Sequence, residues 1–230
     1  MSEWDKFVEQ FITLGAYKRV LNGLLATVEI AVFGLIIGII VGTLIAIVKV
    51  VPKRSYLSKI LDKFCVGYVG FFRGTPMVVQ LLIGHFLLLP AIGVNVNTVI
   101  EAVIIFGLNS GAYVSEIMRA GINSVDKGQM EAGRAVGLSF KTTMMKVIIP
   151  QSVKNILPTL GNEFITLIKE TSVVSFIAVT DITRAFRQIG DASYAYIVPY
   201  LMLAFSYLII VMLITWGIKE IERRFNRNER

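Results

Sequence analysis

Residues 126–150 read DKGQMEAGRAVGLSFKTTMMKVIIP, a hydrophilic stretch set in a chain otherwise built of apolar blocks. Asp126 stands where a helix cap belongs, and Gln129, at the third helical position, completes a capping-box pattern. A helix is expected over 127–136, with Gly137 as its left-handed stop. Ser139 is placed to cap a second helix over 140–149, and Pro150 marks the next break. Ala132, Ala135, Val136 and Leu138 give the first short helix a small-residue surface suited to docking in the groove of a partner. The alternative is a solvated linker, but linkers rarely carry two capped helices.

Outward from this stretch the chain is apolar. Of its 230 residues 55% are hydrophobic and 17% charged, with mean hydropathy +0.69. A soluble domain of this length carries more charge and shorter apolar runs. Several blocks approach the ~20 residues a helix needs to cross a bilayer core. An all-α membrane protein with five transmembrane helices is expected, its spans at about 20–50, 64–89, 98–118, 156–179 and 194–218. These form a single transmembrane domain over 20–218, interrupted by the polar loop 119–154. Residues 1–19 interleave Trp4, Phe7, Val8, Phe11, Ile12 and Leu14 with charges, the spacing of an amphipathic helix lying in the membrane interface. Residues 219–230 form a charged tail.

Two features stand out within the spans. Gly34, Gly38 and Gly42 make a small-xxx-small ladder, a face that lets another helix approach closely. Arg73-Gly74-Thr75-Pro76 interrupts the second span, because proline lacks the amide a helix interior requires. Non-helical backbone at that depth is tolerated only against protein or a water-lined cavity.

The formal charge of +7 raises nucleic acid as a partner, but the basic residues lie between the apolar blocks rather than in one patch. Segments 49–63, 119–154 and 219–230 hold 16 Lys and Arg against 5 in the segments on the other side. The N-terminus is therefore expected outside, with the loop and the C-terminus cytoplasmic. No cleavage site precedes the first span, which is expected to be retained. The single cysteine, Cys65, excludes an intrachain disulfide, and the lone histidine, His85, is expected in packing or pore lining rather than as a ligand.

Glu131-Ala132-Gly133-xxx-Gly137-(x9)-Val147-x-Ile149-Pro150 resembles the EAA motif of ATP-binding-cassette (ABC) importer permeases, Glu-Ala-Ala-xxx-Gly-(x9)-Ile-x-Leu-Pro. It departs at Gly133, Val147 and Ile149, each time keeping size or apolarity. Three flanking pieces narrow the resemblance. Residues 71–76 (FFRGTP), 112–122 (AYVSEIMRAGI) and 161–172 (GNEF through KETS) look like the polar amino-acid uptake permeases of histidine, glutamine, arginine and glutamate type. The likeness runs from about residue 20 to the end. It implies a type I ABC importer permease fold in the bacterial cytoplasmic membrane. It also implies a dimer of two such subunits, identical or homologous, with two copies of a soluble ABC ATPase beneath and an extracytoplasmic amino-acid-binding protein above. Glu131, Ala132, Gly133, Gly137 and Pro150 would couple to the ATPase, which moves the short helix as a lever and alternates access. The chain itself has no Gly-x-x-x-x-Gly-Lys-[Ser/Thr] phosphate loop, so it is expected to be a transport subunit and not an enzyme. ATP and Mg belong to the partner, and no cofactor or nucleic acid is expected here.

A charge at bilayer depth costs roughly 2.5–3.5 kcal/mol on insertion scales and by default faces the bundle interior. Glu29, Arg73, Glu101, Glu116, Glu163, Lys169 and Glu170 lie in or near spans, with Asn109, Tyr113 and Asn162. In the fourth span Asn162, Glu163, Thr166, Lys169 and Glu170 follow helical spacings that place several on one stripe. Such a stripe lines a substrate path or bonds helix to helix. Asn162 and Glu163 offer a donor and an anion for a zwitterionic amino acid. Asn109, Tyr113 and Glu116 are the next candidates, and Arg73 meets either a substrate carboxylate or a neighbouring acid. Lys169 and Glu170 are expected in internal pairs, Glu29 and Glu101 near the outer interface. The rivals are an importer permease for another small solute, an ion-coupled carrier or channel, which needs no docking loop, and a membrane enzyme, for which no nucleophile–base pair is present.

Overall fold

The structure, a computed structural model, describes residues 2–53 and 55–227. Arg54 and Arg230 of the basic segments and the end of the 219–230 tail lie outside the described residues, as do Met1 and the side chains of 225–227. Among the described residues there is no strand. The helices, in chain order, are α1 Glu3–Val8, α2 Tyr17–Val50, α3 Tyr56–Gly74, α4 Met77–Ile83, α5 Leu89–Ala91, α6 Thr98–Asn123, α7 Lys127–Ala135, α8 Phe140–Thr143, α9 Ile149–Glu170, α10 Ile182–Ser193 and α11 Ile197–Arg227. A 3-10 segment, Thr171–Ile177, extends α9.

The centre of the molecule is the pairing of α2 with α6. A side chain at Gly34 would meet Phe106, one at Gly38 Ser110 and one at Gly42 Val114. Gly107 and Gly111 of α6 take Ile37 and Val41 in return. Two glycine ladders thus interlock, and only the first was evident from the sequence. Both sets ascend together, so α2 and α6 run parallel, side by side. Helix α9 crosses back, with Gly121 of α6 against Ile156 and Ser110 bonded to Glu163. Helix α11 runs antiparallel to α9, Gly161 lying against Ile218. The starts of α2, α6 and α11 therefore share one end, and α7 and α8 occupy the opposite end.

The expected break at 73–76 is present: α3 and the α4–α5 rod meet at 109°. Helix α3, however, begins at Tyr56, eight residues before the apolar run that suggested it. Ser55 caps it by accepting from the Ser58 amide at 3.1 Å. By length and composition three helices among the described residues can cross a membrane, Tyr17–Val50, Thr98–Asn123 and Ile197–Arg224, or four if the bent pair is one span. The expected span at 156–179 is not one apolar helix. Its helix starts at Ile149 and ends at Glu170. The 3-10 segment follows, stopped by Ala178 in the left-handed region at φ 64°.

Pro150 does not break the chain as expected. A π turn over Met144–Ile148 precedes it, and the Ile149 amide reaches the carbonyl of Met144. The wider turn absorbs the missing proline amide, and Pro90 follows an equivalent π turn over Gly84–Leu88.

Helix α10 went unread in the sequence. Asp181, fully buried, caps it by accepting from the amides of Thr183 and Arg184 at 3.0 and 2.9 Å. Its apolar face, Ile182, Phe186 and Ile189, forms a core with Phe7 and Ala16, while Trp4 stays exposed. Helix α1 is fixed by a Ser2–Asp5 capping box, whose side-chain bond from Ser2 holds the Asp5 carboxyl below its usual range.

Candidate functional site

The polar loop forms two short helices clamped to the bundle. Asp126 accepts from the Gly128 amide at 2.7 Å. The expected capping box does not form, because Gln129 instead accepts from Gln151 at 3.4 Å, across to the base of α9. Gly137, at φ +87°, ends α7 in a Schellman motif. The Leu138 amide bonds the Gly133 carbonyl at 3.0 Å and the Gly137 amide that of Arg134 at 3.1 Å. Ser139 caps α8 through the Thr142 amide at 3.1 Å.

Gly133 is the contact point of the two helices. A β-carbon there would stand 2.5 Å from the Thr143 methyl and 2.8 Å from its hydroxyl, and Thr143 is fully buried. Glu131, Ala132, Ala135 and Val136 face solvent, as does Pro150. Asn155 donates to Ser124 at 2.7 Å, tying the base of α9 to the end of α6. The exposed face of α7 is thus carried on a rigid mount connected to two long helices.

Deeper in the bundle the structure separates the polar residues that spacing had grouped. Asn162 and Thr166 are exposed on one face of α9, where the Thr166 hydroxyl bonds back to the Asn162 carbonyl at 3.1 Å. Glu163 turns instead to α6 and accepts from the Ser110 hydroxyl at 2.9 Å. The single stripe is therefore two adjacent faces, since 100° separates neighbours on a helix.

Asn109 is buried and donates to Gln80 at 2.8 Å. Gln80 in turn donates to the Phe72 carbonyl at 2.8 Å and to the Thr75 carbonyl and hydroxyl at 2.9 and 2.8 Å. These bonds supply the partners that the helix break at Pro76 leaves wanting. Asn109 therefore holds the bend. Gln80 was missed because an isolated amide in an apolar run has no periodic signature.

Arg73 finds an aromatic face where an acid was expected: its guanidinium lies 5.5 Å from the Tyr113 ring centroid. Glu116 takes Lys49 at 2.5 Å and Arg119 at 2.7 Å, an ion cluster joining the ends of α2 and α6 on the loop side. At the other end His85 meets Glu101 at 2.5 Å. Glu101 is buried rather than interfacial, and His85 is its partner rather than a packing residue. A buried acid needs a partner, so Glu101 itself was the available signal.

The profile of the family described as binding-protein-dependent transport system inner membrane component matches residues 34–227. The chain belongs to this family. Among curated members, an arginine transport system permease protein, ArtQ of Bacillus subtilis, is 40% identical over 210 residues, 91% of this chain and 94% of the relative. A putative glutamine transport system permease protein, GlnP of Rickettsia conorii, is 40% identical over 205 residues, 89% of this chain and 92% of the relative. A crystal structure of an amino acid ABC transporter with histidines superposes at a TM-score of 0.83 with 37% identity, covering 92% of this chain and 96% of that one. As an inner membrane component of this kind the protein is a transport subunit, and its helical fold is that of an ABC transporter permease.

Proposed function

We propose that the protein is the membrane-spanning subunit of an ABC importer that takes up polar amino acids. It works as a dimer with an identical or homologous permease, on two copies of a soluble ATPase, fed by an extracytoplasmic binding protein. The observation that carries the coupling role is the exposed α7 face on its mount. Gly133 seats against Thr143, Gly137 closes the Schellman turn, and Asn155 ties the base to Ser124. A helix held at both ends transmits a partner's displacement to α6 and α9 as rigid motion, whereas a loose loop would absorb it.

In this reading the chain crosses the bilayer five times, α9 being the span whose polar faces turn to protein and water instead of lipid. The basic end that bears α7 is cytoplasmic, in keeping with the excess of Lys and Arg there. Asn162 and Thr166 line the water-filled side of α9, and Glu163, the neighbouring residue of the same helix, stands beside them toward α6. A zwitterion presents one ammonium and one carboxylate, and Glu163 receives the ammonium while Asn162 donates to the carboxylate. Arg73, at the bend between α3 and α4, lies over the ring of Tyr113 of α6 beside this path.

The test pairs two variants in proteoliposomes with the partner ATPase. Glu131→Lys is expected to lower ATPase co-purification and uptake together. Glu163→Gln is expected to leave ATPase binding intact and to raise the substrate concentration needed for half-maximal transport by about tenfold, the loss of one charge-assisted bond. Undiminished ATPase binding with normal uptake for Glu131→Lys would sink the coupling role; unchanged transport for Glu163→Gln would sink the substrate role.

A further inference from the structure

The first two turns of α3 precede its apolar run, and the transport reading gives them no task. Ser58, Asp62, Cys65 and Val69 turn toward the bundle, where Cys65 and Val69 are buried with Ile45 of α2 and Ala112 of α6. At 100° per residue Tyr56, Leu57, Ile60, Leu61 and Phe64 fall within an arc of about 140° on the side turned away. All five are exposed, Phe64 at 75%. Lys59 and Lys63, four residues apart, flank this arc and are exposed as well. The acids nearby are already engaged. Asp62 takes Lys53 at 2.6 Å, and Glu116 takes Lys49 and Arg119. Lys59 and Lys63 form no ion pair among the described residues.

We propose that this edge of α3 binds the headgroup of an anionic phospholipid, Lys59 and Lys63 holding its phosphate while the apolar arc packs against its acyl chains. The depth of the two lysines suits this. The Phe72 carbonyl accepts from Asn109, which stands near the middle of α6. Lys63 is nine residues from Phe72, roughly 14 Å along the helix, and half a hydrocarbon core is about 15 Å. Lys59 lies one turn further out, about 6 Å, in the headgroup layer. A lysine at such a boundary keeps its methylenes on apolar surface and carries its ammonium to a phosphate. The apolar arc continues along α3 through exposed Phe71, so one uninterrupted surface runs from the membrane interior to the lysines. That continuity favours a lipid over a soluble protein. A free phosphate uses none of the apolar side, whereas a phospholipid uses both. So bound, the lipid holds the free end of the helix whose other end carries the bend at Pro76.

The test places the permease with its ATPase in phosphatidylcholine nanodiscs. Tyr56→Cys, labelled with a bimane before the ATPase is added, reports from beside the lysines; Cys65 is buried and stays unlabelled. Phosphatidylglycerol or phosphatidylcholine bearing a nitroxide high on one acyl chain is titrated in, and quenching is read. The anionic lipid is expected to reach half-maximal quenching at about a tenfold lower mole fraction than the zwitterionic one, the order of attraction two lysines exert near a membrane surface. Lys59→Gln with Lys63→Gln should bring the two curves together, whereas Lys59→Arg with Lys63→Arg should keep them apart. Both lysines are exposed, so neither pair of changes disturbs the core. Equal quenching by the two lipids before either pair of changes, or a preference that survives glutamine at both positions, overturns the proposal. So does a preference abolished by glycerol phosphate added in water, which would make the ligand a free phosphate. Quenching by neither lipid would show that the ATPase or a second permease covers this face, and overturns it too. Both leaflets of a nanodisc present the same lipid, so the outcome is independent of orientation, coupling and substrate, which the transport variants test.

Discussion

Replacing Gly38 by alanine tests whether the contact of α2 and α6 is both the structural centre and the support of Glu163. The new β-carbon would stand 2.6 Å from the Ser110 hydroxyl and 2.7 Å from its β-carbon. Non-bonded carbons prefer 3.5–4.0 Å, so the two helices must part by about 1 Å at this level. Ser110 is fully buried and cannot swing aside, because its hydroxyl is engaged with Glu163 at 2.9 Å. Overpacking of this kind costs about 1–3 kcal/mol. For a chain of this length each kcal/mol shifts the melting temperature by about 2–4 °C, giving an expected fall of about 2–12 °C in detergent. The second change is Ser110→Gly, which removes the obstructing atoms but also the donor to Glu163. Gly38→Ala with Ser110→Gly should regain at least half of the lost stability, less the helix cost of a glycine, about 1 kcal/mol. Substrate affinity should stay impaired, since the carboxylate has lost its partner. The assay is thermal unfolding of the purified permease followed by transport in proteoliposomes. If Gly38→Ala melts with the native protein, or the double variant loses as much as the two single changes summed, the helices are not in contact as described.

Two further outcomes are expected. Gly133→Ala drives a β-carbon into Thr143 and should reduce ATPase co-purification severalfold, while Gly133→Ala with Thr143→Ala should recover it; equal retention in all three proteins would show that α7 and α8 do not pack at this point. Glu116→Gln leaves Lys49 and Arg119 facing each other without their acid, at side-chain exposures of 12% and 41%. It should destabilise by about 1–3 kcal/mol, below the cost for a fully buried pair, and Lys49→Met added to it should restore much of that loss in a double-mutant cycle; no coupling between the two sites would refute the ion cluster.

Local rules carried a large part of the architecture. The Gly137 stop and the Ser139 cap were legible because each concerns bonds within a few residues of chain. The break before Pro76 was legible for the same reason. Pro150 misled because the π turn that accommodates it depends on Met144–Ile148 widening, which residue type does not announce. Helix α10 was passed over because its charged face, Arg184, Arg187 and Asp191, hides a narrow apolar side of Ile182, Phe186 and Ile189. Within the candidate site Asn109 was legible as a buried polar group, but its role at the bend was not, since Gln80 is its partner at a separation of 29 residues.

By itself, then, the sequence determined that the chain is helical and membrane-embedded, which end is basic, and that α7 is a capped and stopped helix. Hydropathy and capping act through neighbours in the chain, so composition and spacing suffice to read them. Only the tertiary structure decided that Glu163 turns to Ser110 while Asn162 and Thr166 face outward, and that Gly133 must be small because Thr143 stands against it. It also decided that Glu116 and Glu101 have cationic or histidine partners. A buried charge or a missing side chain is answered by whichever distant segment packs against it. That choice is made by the distances between helices, which no spacing within one helix encodes.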